Sequence, residues 1–166
     1  MICIRQAQSR DIKQIAQIKV DGWRSAYKGI IDDEFLNSMS TSKQADIINN
    51  YSLDTMFVAE KDNEIVGFCR IYDYNEPVYD DKEIDCEIRE IYVKPNLKRM
   101  GIGSELFNFT KAYFYQKGKR KLYLGCLKEN YSARQFYEKM GGILANGKKI
   151  DIGGKFYPLV DFLYNL

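Results

Sequence analysis

Gly101 and Gly103, in the run Lys98-Arg-Met-Gly-Ile-Gly-Ser104, are the residues whose type and spacing most directly imply chemistry. A helix entered through such a loop presents unpaired backbone N–H groups, and those groups bind phosphate. Glycine lets the backbone approach a ligand that a Cβ would hold off. Gly-x-Gly alone is a weak signal, and two common nucleotide loops are excluded. No Gly-Lys-Ser/Thr follows, as a Walker A loop requires, and Leu106 stands where a dinucleotide fingerprint has its third glycine. Just upstream, Cys86-Glu-Ile-Arg-Glu-Ile-Tyr-Val93 carries two carboxylates, Glu87 and Glu90, on a strand-like run. The chain contains no histidine. That excludes Ser-His-Asp and Cys-His catalysis, H-E-x-x-H zinc chemistry and any imidazole base. Proton transfers in an enzyme of this composition fall to Glu, Asp, Tyr, Lys or water.

The charge is polarised along the chain although the net is only +2. Residues 1–93 carry a net of −7, residues 94–139 a net of +8. Two readings stand side by side: a basic surface for a polyanion next to an acidic one for a cation, or solvated faces that happen to be lysine-rich. At 166 residues, 45% hydrophobic and 29% charged, the chain is expected to form one globular domain, residues 1–166. No apolar run has the length of a membrane span and no signal-peptide core opens the sequence, so a cytoplasmic location is expected. Cys3, Cys69, Cys86 and Cys126 lie far apart without C-x-x-C spacing, which argues for reduced thiols and against a metal site. Cys126 lies near a strand end, but no histidine is available to activate it.

The elements that must position these groups follow from periodicity. Ile2–Arg5 reads as a strand, and Ser9 as the cap of a helix through Ile18, with a second helical piece over 21–31. Short helices are expected at 32–39 and 42–51. A hairpin spans Met56–Ala59 and Ile65–Tyr72, and an acidic, tyrosine-bearing loop, Asp73–Asp85, leads into the strand Glu87–Val93. A helix from the glycine loop to about Lys117 is expected, with Leu106, Phe109 and Tyr113 on one face. A strand over 121–126, a helix over 130–140 and two closing strands complete an α/β domain.

Two motifs together resemble one family. Lys98-Arg-Met-Gly-Ile-Gly103 is similar to the Gln/Arg-x-x-Gly-x-Gly/Ala pyrophosphate loop of the GNAT superfamily of N-acetyltransferases. About thirty residues on, Asn130-Tyr-Ser-Ala-Arg-Gln-Phe-Tyr-Glu-Lys-Met-Gly141 resembles its second signature, Asn-x-x-Ala-x-x-Phe/Leu-Tyr-x-x-x-Gly. Val20–Ile31 is similar to a Trp-x-x-Ala-Tyr-x-Gly-Ile segment of many bacterial members. Lys98 departs from the Gln/Arg position, keeping charge but not the forked geometry. The resemblance implies a single-domain fold with a mixed, strongly twisted sheet of about six to seven strands flanked by helices. It also implies acetyl-coenzyme A as co-substrate, no metal, and an amine acceptor. The pyrophosphate is expected on the amides of Arg99, Met100, Gly101, Ile102, Gly103 and Ser104, at the positive end of a helix dipole. The pantetheine arm is expected along Ile91, Tyr92 and Val93, with Asn130 binding it and Ala133 and Arg134 nearby. Lys94, Arg99, Lys128 and Arg134 are candidates for the coenzyme's negative charges.

Acetyl transfer needs a neutral amine, a polarised thioester carbonyl and a protonated leaving thiolate. An amine of pKa ~10.4 is neutral in about one molecule in 2,500 at pH 7, a cost of roughly 4.6 kcal/mol. Glu87 matches the strand glutamate that serves as base in some family members, with Glu90 as the other candidate. Strict alternation would place residues 87, 89, 91 and 93 on one face and 88, 90 and 92 on the other, unless a bulge intervenes. A glutamate in a cross-strand ion pair is the structural alternative. Tyr137 matches the family's general acid, and a backbone N–H near Ile91 or Tyr92 is expected to polarise the carbonyl.

The acceptor is expected near Trp23, Tyr27, Asp32, Asp33, Glu34 and the segment Asp73–Asp81, whose acidic and aromatic side chains suit a polycation. It is read as a small-molecule or peptide amine, met by a monomer or homodimer, with neither nucleic acid nor membrane as partner. The alternative function is a non-catalytic acyl-coenzyme A binding or sensing module. A nucleic-acid-binding domain is the third reading, disfavoured by the acidic half and the lack of a helix-turn-helix pattern.

Overall fold

The computed structural model describes residues 1–78 and 83–166. Seven strands form one sheet: β1 (Cys3–Gln6), β2 (Met56–Lys61), β3 (Glu64–Val78), β4 (Ile84–Val93), β5 (Lys121–Leu127), β6 (Ile143–Ile152) and β7 (Lys155–Asn165). Their order is β1-β2-β3-β4-β5-β7-β6. All neighbours are antiparallel except β4 and β5, which pair in parallel. A parallel pair needs a crossover, and α4 (Ile102–Gln116) supplies it. The remaining helices are α1 (Ile12–Ala26), α2 (Asp33–Ser38), α3 (Thr41–Ile48) and α5 (Tyr131–Lys139).

Apolar side chains on both sheet faces bury the helices. On one face Cys69, Ile71, Cys86 and Ile88 pack with Leu106, Phe107 and Phe114 of α4. On the other, Ile15 and Ile18 of α1 and Ile48 of α3 pack on Met56, Val58 and Phe68. A third cluster, with Ile31, Leu36 and Met39 against Leu127 and Ile152, closes the end of the sheet beyond α1.

Several boundaries differ from expectation for identifiable reasons. Residues 12–26 form one helix rather than two pieces. Ser9 does not cap it but lies inside a preceding 3₁₀ turn, where the Asp11 carboxylate accepts from the Gln8 N–H at 2.8 Å. The buried stripe of α4 is Ile102, Leu106, Phe107, Thr110 and Phe114, while Phe109 and Tyr113 flank it against Phe57. The supposed loop from Asp73 is largely strand. β3 continues to Val78 and pairs Asp73 with Cys86 and Val78 with Ile84. Lys117 and Lys119 hold Asp73, which neutralises one of the charges that had marked the segment as an acidic loop. Tyr79, Asp80 and Asp81 lie outside the described residues.

Candidate active site

The parallel pairing of β4 with β5 consists of two residue pairs, Cys86 with Leu122 and Glu87 with Tyr123. Beyond Glu87 the strands diverge. β5 stays paired with β7 along its whole length, from Lys121 to Leu127, while β4 stays on β3, pairing Ile91 with Cys69 and Val93 with Gly67. The strand edge of β4 from Ile88 to Val93 therefore faces a fork instead of a neighbour. An open fork at the carboxyl ends of parallel strands is where α/β sheets bind ligands.

The glycine loop closes one side of the fork. Pro95–Leu97 form a 3₁₀ turn, Arg99 takes a left-handed φ of 65°, and Gly101 caps α4 at φ 86°. No side chain caps this end, and the first intrahelical bond begins at the Glu105 N–H. The amides of Ile102, Gly103 and Ser104 thus keep the positive end of the helix dipole open. Gly101 is explained by its φ. Gly103 is explained by neither conformation nor packing. A Cβ there would sit 3.6 Å from Phe136 and 3.7 Å from Val93, ordinary contact distances. A residue that the fold itself does not require to be glycine fits a cradle where a phosphate must come close to the backbone.

The second signature forms the opposite wall. Asn130 caps α5, its Oδ1 accepting from the Ala133 N–H at 3.2 Å, which leaves the amide NH₂ to donate. Tyr137, two turns further on, is buried against Phe162 and Phe136. Burial pushes its phenol well above 10, with the nearby Cys126 and Tyr27 adding to the effect. It stays protonated at any working pH. Cys126 is buried too, its thiol pushed up to about 12, which disqualifies it as a thiolate nucleophile. Of the cationic candidates, Arg99 and Lys128 are exposed. Lys94 pairs with Glu64, Lys98 reaches Ser25 of α1 at 3.4 Å, and Arg134 bonds the Lys128 carbonyl at 3.0 Å.

Opposite Arg70 and Ile71, β4 carries one extra residue: Arg70 pairs with Glu90 and Ile71 with Ile88, leaving Arg89 in a bulge. The bulge corrects the alternation expected for this strand. Glu87, Glu90 and Tyr92 share the face toward α1, whereas Ile88, Ile91 and Val93 turn to the α4 side. Both glutamates therefore line one cleft of about 190 Å³. Their surroundings differ. Glu90 pairs with Lys19 and Arg70, each at 2.6 Å. Burial would raise its carboxyl, but those two cations hold it below the usual range. Glu87 is 2% exposed and accepts from the Tyr74 phenol at 2.5 Å and from Arg89 at 3.0 Å.

The rest of the cleft is aromatic and aliphatic. Trp23, Tyr27 and Tyr92 form one side, with Tyr27 and Tyr92 joined through their hydroxyls at 3.1 Å. Tyr123, Leu127, Ile150, Ile152 and Leu159 form the other. Asp32, Asp33 and Glu34, expected here, are not among the lining residues. Asp32 instead caps α2 and pairs with Lys155. Sequence reasoning missed Arg89 and Tyr123 at the site, while Tyr74 belongs to the segment Asp73–Asp81 expected there. Only Tyr123 had a signal: strand β5 repeats side-chain direction every second residue, and pairing with Glu87 puts its ring beside the carboxylate. Among the described residues no group of His, Cys, Asp or Glu is placed to hold a metal ion, and no helix is long and apolar enough to cross a membrane.

A forked α/β sheet, an uncapped helix at a glycine loop and a buried carboxylate at the fork define the acetyltransferase class. The family model described as Acetyltransferase (GNAT) family matches residues 16–142, and the chain belongs to that family. An uncharacterised N-acetyltransferase of Bacillus subtilis, YuaI, is 30% identical over 134 residues, spanning 80% of this chain and 75% of that protein. An uncharacterised N-acetyltransferase of Archaeoglobus fulgidus is 26% identical, spanning 81% of this chain and 88% of its own length. In fold, the chain resembles the PaiA N-acetyltransferase of Thermoplasma acidophilum, crystallised in complex with coenzyme A, with TM-score 0.72 at 22% identity and 99% of each chain covered.

Proposed function

We propose that this protein transfers the acetyl group of acetyl-coenzyme A directly to a primary amine. The observation that carries this reading is the coincidence, at one fork, of the open α4 amides with a buried glutamate. The first suits a pyrophosphate and the second suits an ammonium. Gly103 supports the same reading, because a glycine the fold does not need makes sense where a phosphate approaches. Acetyl-coenzyme A supplies the acetyl group as a thioester. The amides of Arg99 to Ser104 hold its pyrophosphate, the bare edge at Ile91–Val93 takes the arm as an added strand, and the Asn130 NH₂ donates to that arm.

Glu87, directly or through a water, takes one proton from the acceptor ammonium and passes it to solvent. The nitrogen lone pair then forms the bond to the acetyl carbon as the carbon–sulfur bond breaks. The sulfur leaves with the bonding pair and takes the Tyr137 phenolic proton, which the second proton lost by the nitrogen replaces. A backbone N–H of β4 near Ile91 or Tyr92 polarises the carbonyl oxygen. Glu87 is preferred to Glu90 as the base because Glu90 is locked between two cations of the core, Lys19 and Arg70, whereas the partners of Glu87 are a phenol and a half-exposed arginine. Free-thiol release from acetyl-coenzyme A over a panel of amines tests the proposal. Turnover with one amine class is expected. Tight coenzyme binding without turnover of any amine would leave a binding module instead.

A further inference from the structure

Resting on that reading, we infer that the acceptor is a small zwitterion with an apolar side chain, an α-amino acid or a close analogue, and that Arg89 is the residue that selects it. The bulge in β4 places the Arg89 guanidinium in the cleft, 3.0 Å from the Glu87 carboxylate, with its side chain 48% exposed. Glu87 and Arg89 thus present an anion and a cation side by side. An α-amino acid carries the complementary pair on a single carbon. Its ammonium faces Glu87, where the proton must leave, while its carboxylate meets the guanidinium. One Arg89 N–H bonds Glu87, and a planar guanidinium has further donors to hold a second carboxylate in a fork.

The rest of the cleft agrees with this head-group geometry. Glu87 and Glu90 are the carboxylates among the described lining residues, and both are already matched, Glu87 by Arg89 and Glu90 by Lys19 and Arg70. A polycation would find no uncompensated acid among them. Trp23, Tyr123, Leu127, Ile152 and Leu159 offer an apolar chamber of side-chain size beyond the head-group site.

The test compares apolar L-amino acids (leucine, methionine, phenylalanine) with their carboxamides and their decarboxylated amines, by thiol release at saturating acetyl-coenzyme A. In the unaltered protein kcat/KM is expected to favour the acids by about tenfold or more, the worth of one charge-assisted contact. Arg89→Gln should collapse the acid-to-amide ratio toward one, and Arg89→Lys should restore part of it. Equal or better use of the amides, or a ratio unmoved in Arg89→Gln, overturns the inference. So does turnover confined to polyamines or lysine peptides, which would leave the transferase reading standing. Failure of coenzyme A to bind, followed by calorimetry, would sink that underlying reading instead.

Discussion

Glu87 and Glu90 stand on the same face of the same strand and line the same cleft, yet one is locked between two core cations and the other is held by groups nearer the cleft mouth, the one proposed to meet the substrate. Glu90 lies between Lys19 of α1 and Arg70 of β3, so its charge ties a helix to the sheet. Glu87 sits where β5 departs, held by a phenol and by one half-exposed arginine. The difference teaches that burial alone does not separate a structural carboxylate from a candidate catalytic one. What matters is whether its partners are fixed elements of the core or groups that a ligand can replace. The two glycines of the loop repeat the contrast: Gly101 answers to backbone conformation, Gly103 to nothing in the fold.

The most severe break in the comparison is Glu87→Gln. Turnover should fall by about 10²–10⁴ if the carboxylate moves a proton, with the melting temperature nearly unchanged. A loss of folding stability with activity retained would reverse the assignment. Glu90→Gln should do the opposite. Leaving Lys19 and Arg70 without their counter-ion costs about 3–5 kcal/mol, read from urea unfolding, while acetyl-coenzyme A turnover per folded molecule persists.

Acidity sharpens the same contrast. The native Glu90 carboxyl is held below its ordinary value, so the unfolded chain binds this proton first as pH falls. The stabilisation from Glu90 is complete above about pH 4.5 and is lost as pH falls through the depressed native value. Glu90→Gln should flatten that acid limb in pH-dependent unfolding, and Glu87→Gln should leave Glu90's share of it in place. At the alkaline end, burial keeps Tyr137 protonated above pH 10, so kcat should show no downturn at the ordinary tyrosine value. Tyr137→Phe should lower kcat about ten- to a hundredfold with coenzyme affinity nearly intact, since a general acid contributes to the step and not to binding.

The smallest effects fall on the loop. Gly101→Ala forces an L side chain to φ 86° and should cost about 1 kcal/mol of stability. Gly103→Ala should cost almost none, because its Cβ meets ordinary contacts, yet it should weaken coenzyme A binding measured by calorimetry. Equal effects on stability would remove the distinction between the two glycines.

The glycine loop, the helix after it and the Asn130–Gly141 segment were legible from sequence because each depends on residues close together in the chain. The alternation of strands and helices gave the α/β class, and the seven-stranded mixed sheet agrees with what the family resemblance implied. Glu87 and Tyr137 were named through motif position, and the fold places one at the fork and the other in the wall beside it. Tertiary structure decided the rest. The Arg89 bulge exists only in the register between β3 and β4, and it alone puts Glu87 and Glu90 on one face. The fork arises where β4 parts from β5 after Glu87 while β3 and β7 hold the two strands from outside, pairings between segments distant in sequence. Which carboxylate is locked depends on Lys19, brought to the cleft by a helix from the other end of the domain's first half. Periodicity and turn chemistry act over a few residues and can be read in order. Strand register, charge compensation and the walls of a cleft are settled by segments distant in sequence, and only their packing makes them neighbours.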